Sequence, residues 1–180
     1  MKFGELEFMG VEGNEKLLSV PTRQGIEQNN LTSVLVTAID PGVSDTAAFC
    51  EKYKTDAKVC ANCIVVKASR GDVTRYAAVM IDGESMADIN GVVRRHLDAR
   101  KISFAPMSET VEITGMEFGA INPIGLPADW LILVDAAVAK LDKAIIGSGI
   151  RESKLLVSGE LLASLPNATV LDMKKAPMSS

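Results

Sequence analysis

Four stretches of the chain carry residue types at spacings that chemistry could use. Cys60-Ala61-Asn62-Cys63 is a CxxC pair. Zinc needs about four ligands and a CxxC supplies two. Cys50 and the single histidine, His96, show no spacing that would complete the set. A redox pair would open a helix in a βαβ context, whereas this pair leads into a strand, where residues an odd number apart face opposite ways. It reads as structural thiols, with no metal site expected. Gly147-Ser148-Gly149, followed by Ser153 and Lys154, lacks the GxxxxGK[ST] order of a phosphate loop, and a GxGxxG pattern fails at Glu152. It reads as a turn whose amides face a pocket. Arg94, Arg95, His96, Arg100 and Lys101 form a basic cluster, read as a solvated helix face and its exit, with a small phosphate-receiving patch as the alternative. His96 has no serine or cysteine partner at a spacing that suggests a hydrolase triad.

The fourth stretch, Gly119 to Leu126 (GAINPIGL), is the most informative. Pro123 fixes its own φ and biases Asn122 toward extended backbone. Gly119 and Gly125 allow conformations and close approaches that other residues cannot make. Such a loop is stiff and leaves main-chain groups free to grip a small ligand; a tight structural connection is the other reading.

These stretches need a scaffold. With 180 residues the chain fits one domain and can bury a core. Hydrophobic residues at 47% and charged ones at 23% argue against wholesale disorder, and 4% aromatics leave the core to Val, Ile, Leu, Ala and Met. No apolar run reaches the roughly 18 residues of a membrane span, and the first ten residues lack a secretory layout. Three cysteines suit a reducing compartment, so the expected location is the cytoplasm. A net charge of −4 disfavours broad coating of nucleic acid and still allows a local contact with an RNA end.

Residues 1–31 show no sustained period and read as a strand or loop leading into the domain. Strands are predicted over 33–39, 61–68, 73–81 (a hairpin with the preceding one, around Gly71), 101–105, 131–134, 143–147, 154–157 and 169–171. Helices are predicted from Ser44 or Asp45 to about Lys54, from an Asp88 cap through Leu97, from a Ser108 cap to Gly115, and over 158–165. Several strands lie too close in sequence for helical crossovers, so the class is α+β with a mixed, largely antiparallel sheet. The chain divides into the lead-in 1–31, a domain over 32–173 and a frayed tail over 174–180.

In order along the chain, CIVV, YAAVMI, the Asp88 helix, ISFAPMSETVEITG, GAINPIGL, LILVDAAV and IIGSGIRESKLLVSGELL together resemble the YbaK family, the prolyl-tRNA-synthetase-associated editing domains. Gly119 and Pro123 match that family's GxxxP motif, and Gly149-Ile150-Arg151 its later glycine-arginine turn; Val34 to Lys54 is similar to its early strand and helix. The resemblance implies a partly barrel-like sheet flanked by helices. It also implies an aminoacyl-tRNA deacylase that removes a wrong amino acid from the 3′ end of a tRNA, often that for proline, without metal or organic cofactor. Its partners would be aminoacyl-tRNA and, further, an aminoacyl-tRNA synthetase. The family places a lysine at the start of the strand after the early helix; here that position is Asn62, which brings hydrogen bonds and no charge. The implied catalytic positions are Asn62, Gly119 and Ala120. Ile121, Asn122, Pro123, Gly125, Asp135, Ser148 and Gly149 are the implied substrate-binding ones. A pocket that binds an aminoacyl end, an amino acid or a synthetase without catalysis is the alternative.

Overall fold

The computed structural model describes residues 1–43 and 45–176. In chain order the elements are β1 (Lys2–Phe3), β2 (Leu6–Glu7), β3 (Met9–Gly10), α1 (Val20–Gln28), β4 (Leu35–Ala38), α2 (Thr46–Tyr53), β5 (Ala61–Arg70) and β6 (Val73–Asp82). There follow α3 (Arg94–His96), β7 (Lys101–Phe104), α4 (Met107–Thr114), β8 (Leu131–Asp135), α5 (Ala136–Ala139), β9 (Ala144–Gly147), β10 (Ser153–Val157), α6 (Gly159–Ser164) and β11 (Ala168–Leu171).

The long hairpin β5–β6 is the spine. Its strands pair from Ala61↔Asp82 to Arg70↔Val73, with Gly71 at φ +58° in the two-residue loop, a conformation that suits a hairpin turn. They belong to a five-stranded sheet in the order β11-β8-β6-β5-β7. β8 runs parallel to β6 and to β11, and β7 antiparallel to β5. Residues alternate between faces as the pleat requires. Val66, Ala77, Val79 and Leu133 pack on one side with Val93 and Leu97. Ala61, Ala78, Met80, Ile132 and Val134 pack on the other, against the second sheet. That sheet, β3-β4-β10-β9, is antiparallel. The two adjoin at a parallel bridge between Cys60 and Ile145 and do not close into a barrel. The architecture is the α+β mixture that the strand spacing predicts.

Local chemistry sets the helix starts. Asp45 caps α2 by accepting from the Ala48 amide at 3.0 Å, and Ser158 caps α6 through Leu161. Ser44, the other candidate cap for α2, lies outside the described residues. Asp88 caps a wide π-type turn over Ile89–Val93 that continues as α3. Ser108 does not cap: the start of α4 lies two residues earlier, with Pro106 at the cap position, where its fixed φ already suits a helix entry.

The lead-in is more structured than its pattern suggests. Residues 20–28 form α1, capped by Ser19, with Pro21 in its first turn, where its missing N–H costs nothing. The helix carries few apolar residues because it docks through main chain. A Cβ at Gly25 would sit 2.5 Å from the Gly125 amide nitrogen, and one at Gly125 would overlap the Pro21 carbonyl. At the other end, Lys174 pairs with Asp82 at 2.7 Å and the Lys175 amide donates to the Met86 carbonyl, so these two residues are tied down rather than frayed. The rest of the expected tail, from 177, lies outside the described residues.

Gly125 combines a φ of +87° with the Pro21 contact. Gly125→Ala is expected to lower unfolding free energy by about 1–3 kcal/mol, read from urea denaturation.

Candidate active site

The segment that leads into the GxxxP loop starts where α4 ends, at Gly115 in the left-handed region with φ +66°. From there the main chain is laced to the turn after β9. The Glu117 amide donates to the Gly149 carbonyl at 2.9 Å, the Gly149 amide to the Ala120 carbonyl at 2.8 Å, and the Ala120 amide to the Glu117 carbonyl at 3.0 Å. Gly147 permits the approach, since a Cβ there would overlap the Ala120 carbonyl. Gly119, at φ +86°, is exposed at the outer bend. Among the described residues no hydrogen bond is made by the amides of Gly119 and Ile121.

Beside this loop lies a cleft of about 660 Å³, a size typical of small-molecule sites. It runs past the start of β5 (Cys60 to Val65), the first turn of α2 (Asp45, Thr46, Phe49), Ile145 and Gly147 of β9, and Lys154 of β10. Gly119 and Ile121 form the facing wall, and Phe104, Met107 and Phe118 its exposed apolar rim. The Thr46 hydroxyl donates to Asn62 Oδ1 at 3.0 Å, which fixes the amide and leaves its NH₂ as a donor.

The structure thus brings Asn62, Gly119 and Ile121 to one cleft. The remaining implied positions do not line it. Ala120 is buried, with both main-chain groups bonded as above. Asn122 is fully buried; its side chain donates to Thr22 Oγ1 at 2.8 Å and accepts from the Ile124 amide at 2.8 Å. Pro123 is buried, and Gly125 abuts α1. Asp135 caps α5 through the Ala137 amide and also receives the Met173 amide. Ser148 Oγ is engaged by the Ile150 carbonyl and Ser153. A Cβ at Gly149 would overlap Ser19 Oγ. These residues hold the loop in place from behind.

Other sequence candidates also find their places. Arg94, Arg95, His96, Arg100 and Lys101 are exposed and outside the cleft. Apart from those candidates, Lys67 of β5 is held by Glu109 of α4 at 2.8 Å, and Tyr76 of β6 donates to the same carboxylate at 2.6 Å. That carboxyl lies below its ordinary range because of the Lys67 and Tyr76 hydrogen bonds. Cys60 faces Cys50, with sulfurs 3.6 Å apart, rather than Cys63. Burial pushes the Cys60 thiol up to about 12, with Cys50 adding to it, and burial alone does the same for Cys63. Both stay protonated at neutral pH, as structural thiols do. Among the described residues no group of His, Cys, Asp and Glu is arranged to hold a metal ion.

Sequence reasoning passed over Lys154, met only inside a failed phosphate-loop pattern. Its amine lies below the usual lysine range because of burial, an effect opposed by Cys60, Cys50 and Asp45. A lone cation inside the apolar run Ser153–Val157 was the available signal; its direction depends on sheet register.

Comparison with known proteins identifies the family and the fold. Residues 40–165 match the family model described as the aminoacyl-tRNA editing domain. A proline–tRNA ligase of Bacillus licheniformis is 32% identical over 107 residues, which are 59% of this chain and 17% of the ligase. One from Listeria welshimeri is 30% identical over 71 residues, 39% of this chain and 12% of the ligase. The chain therefore spans less than a fifth of either relative. A crystal structure of a candidate trans-editing enzyme for prolyl tRNA synthetase superposes with a TM-score of 0.75 at 17% identity, covering 88% of this chain and 99% of that one. That likeness shows a shared fold.

Two outcomes follow from the buried groups. Asn122→Ala leaves the Thr22 hydroxyl and Ile124 amide without their partner and should cost about 1–3 kcal/mol of stability by thermal or urea unfolding. Alkylation by iodoacetamide at pH 8 should leave Cys60 and Cys63 unmodified in the folded protein, as read by peptide mass mapping.

Proposed function

The chain belongs to the aminoacyl-tRNA editing domain family, and on that premise we propose that it is a deacylase acting on misacylated tRNA. The observation that carries this reading is the meeting of Asn62, Gly119 and Ile121 in one cleft. An aminoacyl ester is already activated, so placing it beside a water supplies much of the catalysis, and no metal or organic cofactor is called for. The amides of Gly119 and Ile121 are the donors for the developing oxyanion. The Asn62 NH₂, oriented by Thr46, is a third polar group for the ester or the terminal ribose. Water oxygen attacks the carbonyl carbon, the bond from that carbon to the ribose oxygen breaks, and the ribose oxygen takes up the proton. The products are a free amino acid and a tRNA with its 3′ hydroxyl restored.

The rim suits the RNA part of the ligand. Phe104 and Phe118 are 66% and 54% exposed at the cleft mouth, where flat apolar rings can stack unpaired bases. A chain of net charge −4 fits a contact confined to the 3′ end rather than the tRNA body. The two matching proline–tRNA ligases support tRNA for proline as the RNA and a synthetase as a further partner. Charged tRNA and three free thiols fit the cytoplasm; among the described residues no helix is long and apolar enough to cross a membrane.

Asn62 favours a second reading. An uncharged amide stands where the resemblance expects an ammonium, which suits a module that binds an aminoacyl end without turning it over. One assay separates the two: a panel of misacylated tRNAs, with ester loss followed over time. Deacylation of at least one member is expected, and Gly119→Val, which forces a branched side chain into φ +86°, should lower kcat/KM about 100-fold or more. A flat response across the panel, with Asn62→Lys creating hydrolysis where the wild type has none, would establish the binding module instead.

A further inference from the structure

Lys154 lines the cleft and has no part in the reaction just described. It pairs in register with Gly147, and directly opposed residues of a sheet share a face. Its side chain therefore leaves β10 on the side where Gly147 receives the Ala120 and Ile121 carbonyls. The ammonium sits 5.5 Å from the centroid of the Phe49 ring. The walls at this end are closed: Phe49, Cys60 and Ile145 are 1%, 5% and 2% exposed. Asn62, Gly119, Phe104 and Phe118 are all exposed and mark the open end.

Among the described residues the Lys154 ammonium makes no ion pair and no hydrogen bond. The titratable groups that act on it are Asp45, the cap of α2, Cys50 of α2 and Cys60 ahead of β5. Burial pushes its amine below the usual lysine range, as expected of an ammonium that has lost water without gaining a full counter-ion. A desolvated, underpaired cation facing an open volume is a receptor for an oxyanion.

We propose that Lys154 is a specificity-determining residue that receives a carboxylate at the tip of the ligand's amino-acid side chain, so that the acyl groups this cleft takes are aspartyl and glutamyl. The inference rests on the editing reading, which places the ester at Gly119 and the RNA at the rim. A phosphodiester continues into the RNA on both sides and belongs at the open end. An amino-acid side chain terminates, and so can occupy a closed one. There a carboxylate gains a charge-assisted hydrogen bond in a poorly hydrated site. An apolar side chain would strip the ammonium of its remaining water with no replacement, and a basic one would meet like charge.

The test is calorimetric titration of the full chain with amide-linked, non-hydrolysable 3′-aminoacyl-adenosine analogues carrying aspartyl, glutamyl, glutaminyl and alanyl groups. The acidic analogues should bind at least about tenfold more tightly than glutaminyl. Lys154→Met, which removes the charge and keeps an unbranched side chain of similar length, should erase the difference, and Lys154→Arg should keep most of it. If Lys154→Met does not fold, the wild-type ratio and Lys154→Arg decide the matter. Equal affinity for the acidic and neutral analogues, or a preference that survives Lys154→Met, overturns the inference and leaves the editing reading standing. Failure of every analogue to bind, together with a flat deacylation panel, removes both.

Discussion

Where the GxxxP loop crosses β9, the carbonyls of Ala120 and Ile121 lie over Gly147 with no side chain between them. Behind the same loop, Gly125 meets the Pro21 carbonyl and Gly25 of α1, and Gly149 meets Ser19. Main chain packed directly on main chain leaves no compliant side chain to absorb error, so the loop has one place to sit. Its internal hydrogen bonds run through Glu117, Ala120 and Gly149 and satisfy the groups that face inward. Among the described residues the amides left unbonded along this stretch include those of Gly119 and Ile121, both of which line the cleft. A site that works by positioning an activated ester needs such a rigid presentation of amides more than it needs a strong acid or base.

The polar residues of the region divide accordingly. Asn122, Ser148, Asp135 and Ser153 are buried and bonded to the backbone or to one another. Had they pointed into the cleft, the loop and turns that they brace would have had unsatisfied amides, which is costly inside a protein. The cleft itself is left with few polar side chains, chiefly Asp45, Thr46, Asn62, Ser85 and Lys154, set in apolar walls. Sparse polar groups set in apolar walls give each one a large influence on what binds.

Much of the scaffold was legible because its strands are β-branched runs separated by turn residues. The hairpin around Gly71, the Asp45, Asp88 and Ser158 caps and the strands of both sheets other than β3 follow from local chemistry. The helix over residues 20–28 was not, for a physical reason: with Gly25 at its contact face and few apolar residues, it has no stripe to read, and it is held by backbone contacts to a loop about a hundred residues away. The Ser108 cap failed because Pro106 already sets the entry of α4. Lys174 and Lys175 escaped notice as ordered residues because their partners, Asp82 and Met86, are distant in sequence.

From the residues alone came the α+β class, the hairpin, the stiff Gly-Pro-Gly bend and the ordered motifs that resemble the editing domains, since each depends on neighbours within a few positions. Tertiary structure decided which residues of those motifs line the cleft. It turned Asn122, Asp135 and Ser148 inward, left Asn62, Gly119 and Ile121 on the cleft, and added Lys154 from a strand with no motif of its own. The physical reason is that a side chain's direction follows from strand register and from what its backbone neighbours need bonded, and both are set by contacts far apart in the chain.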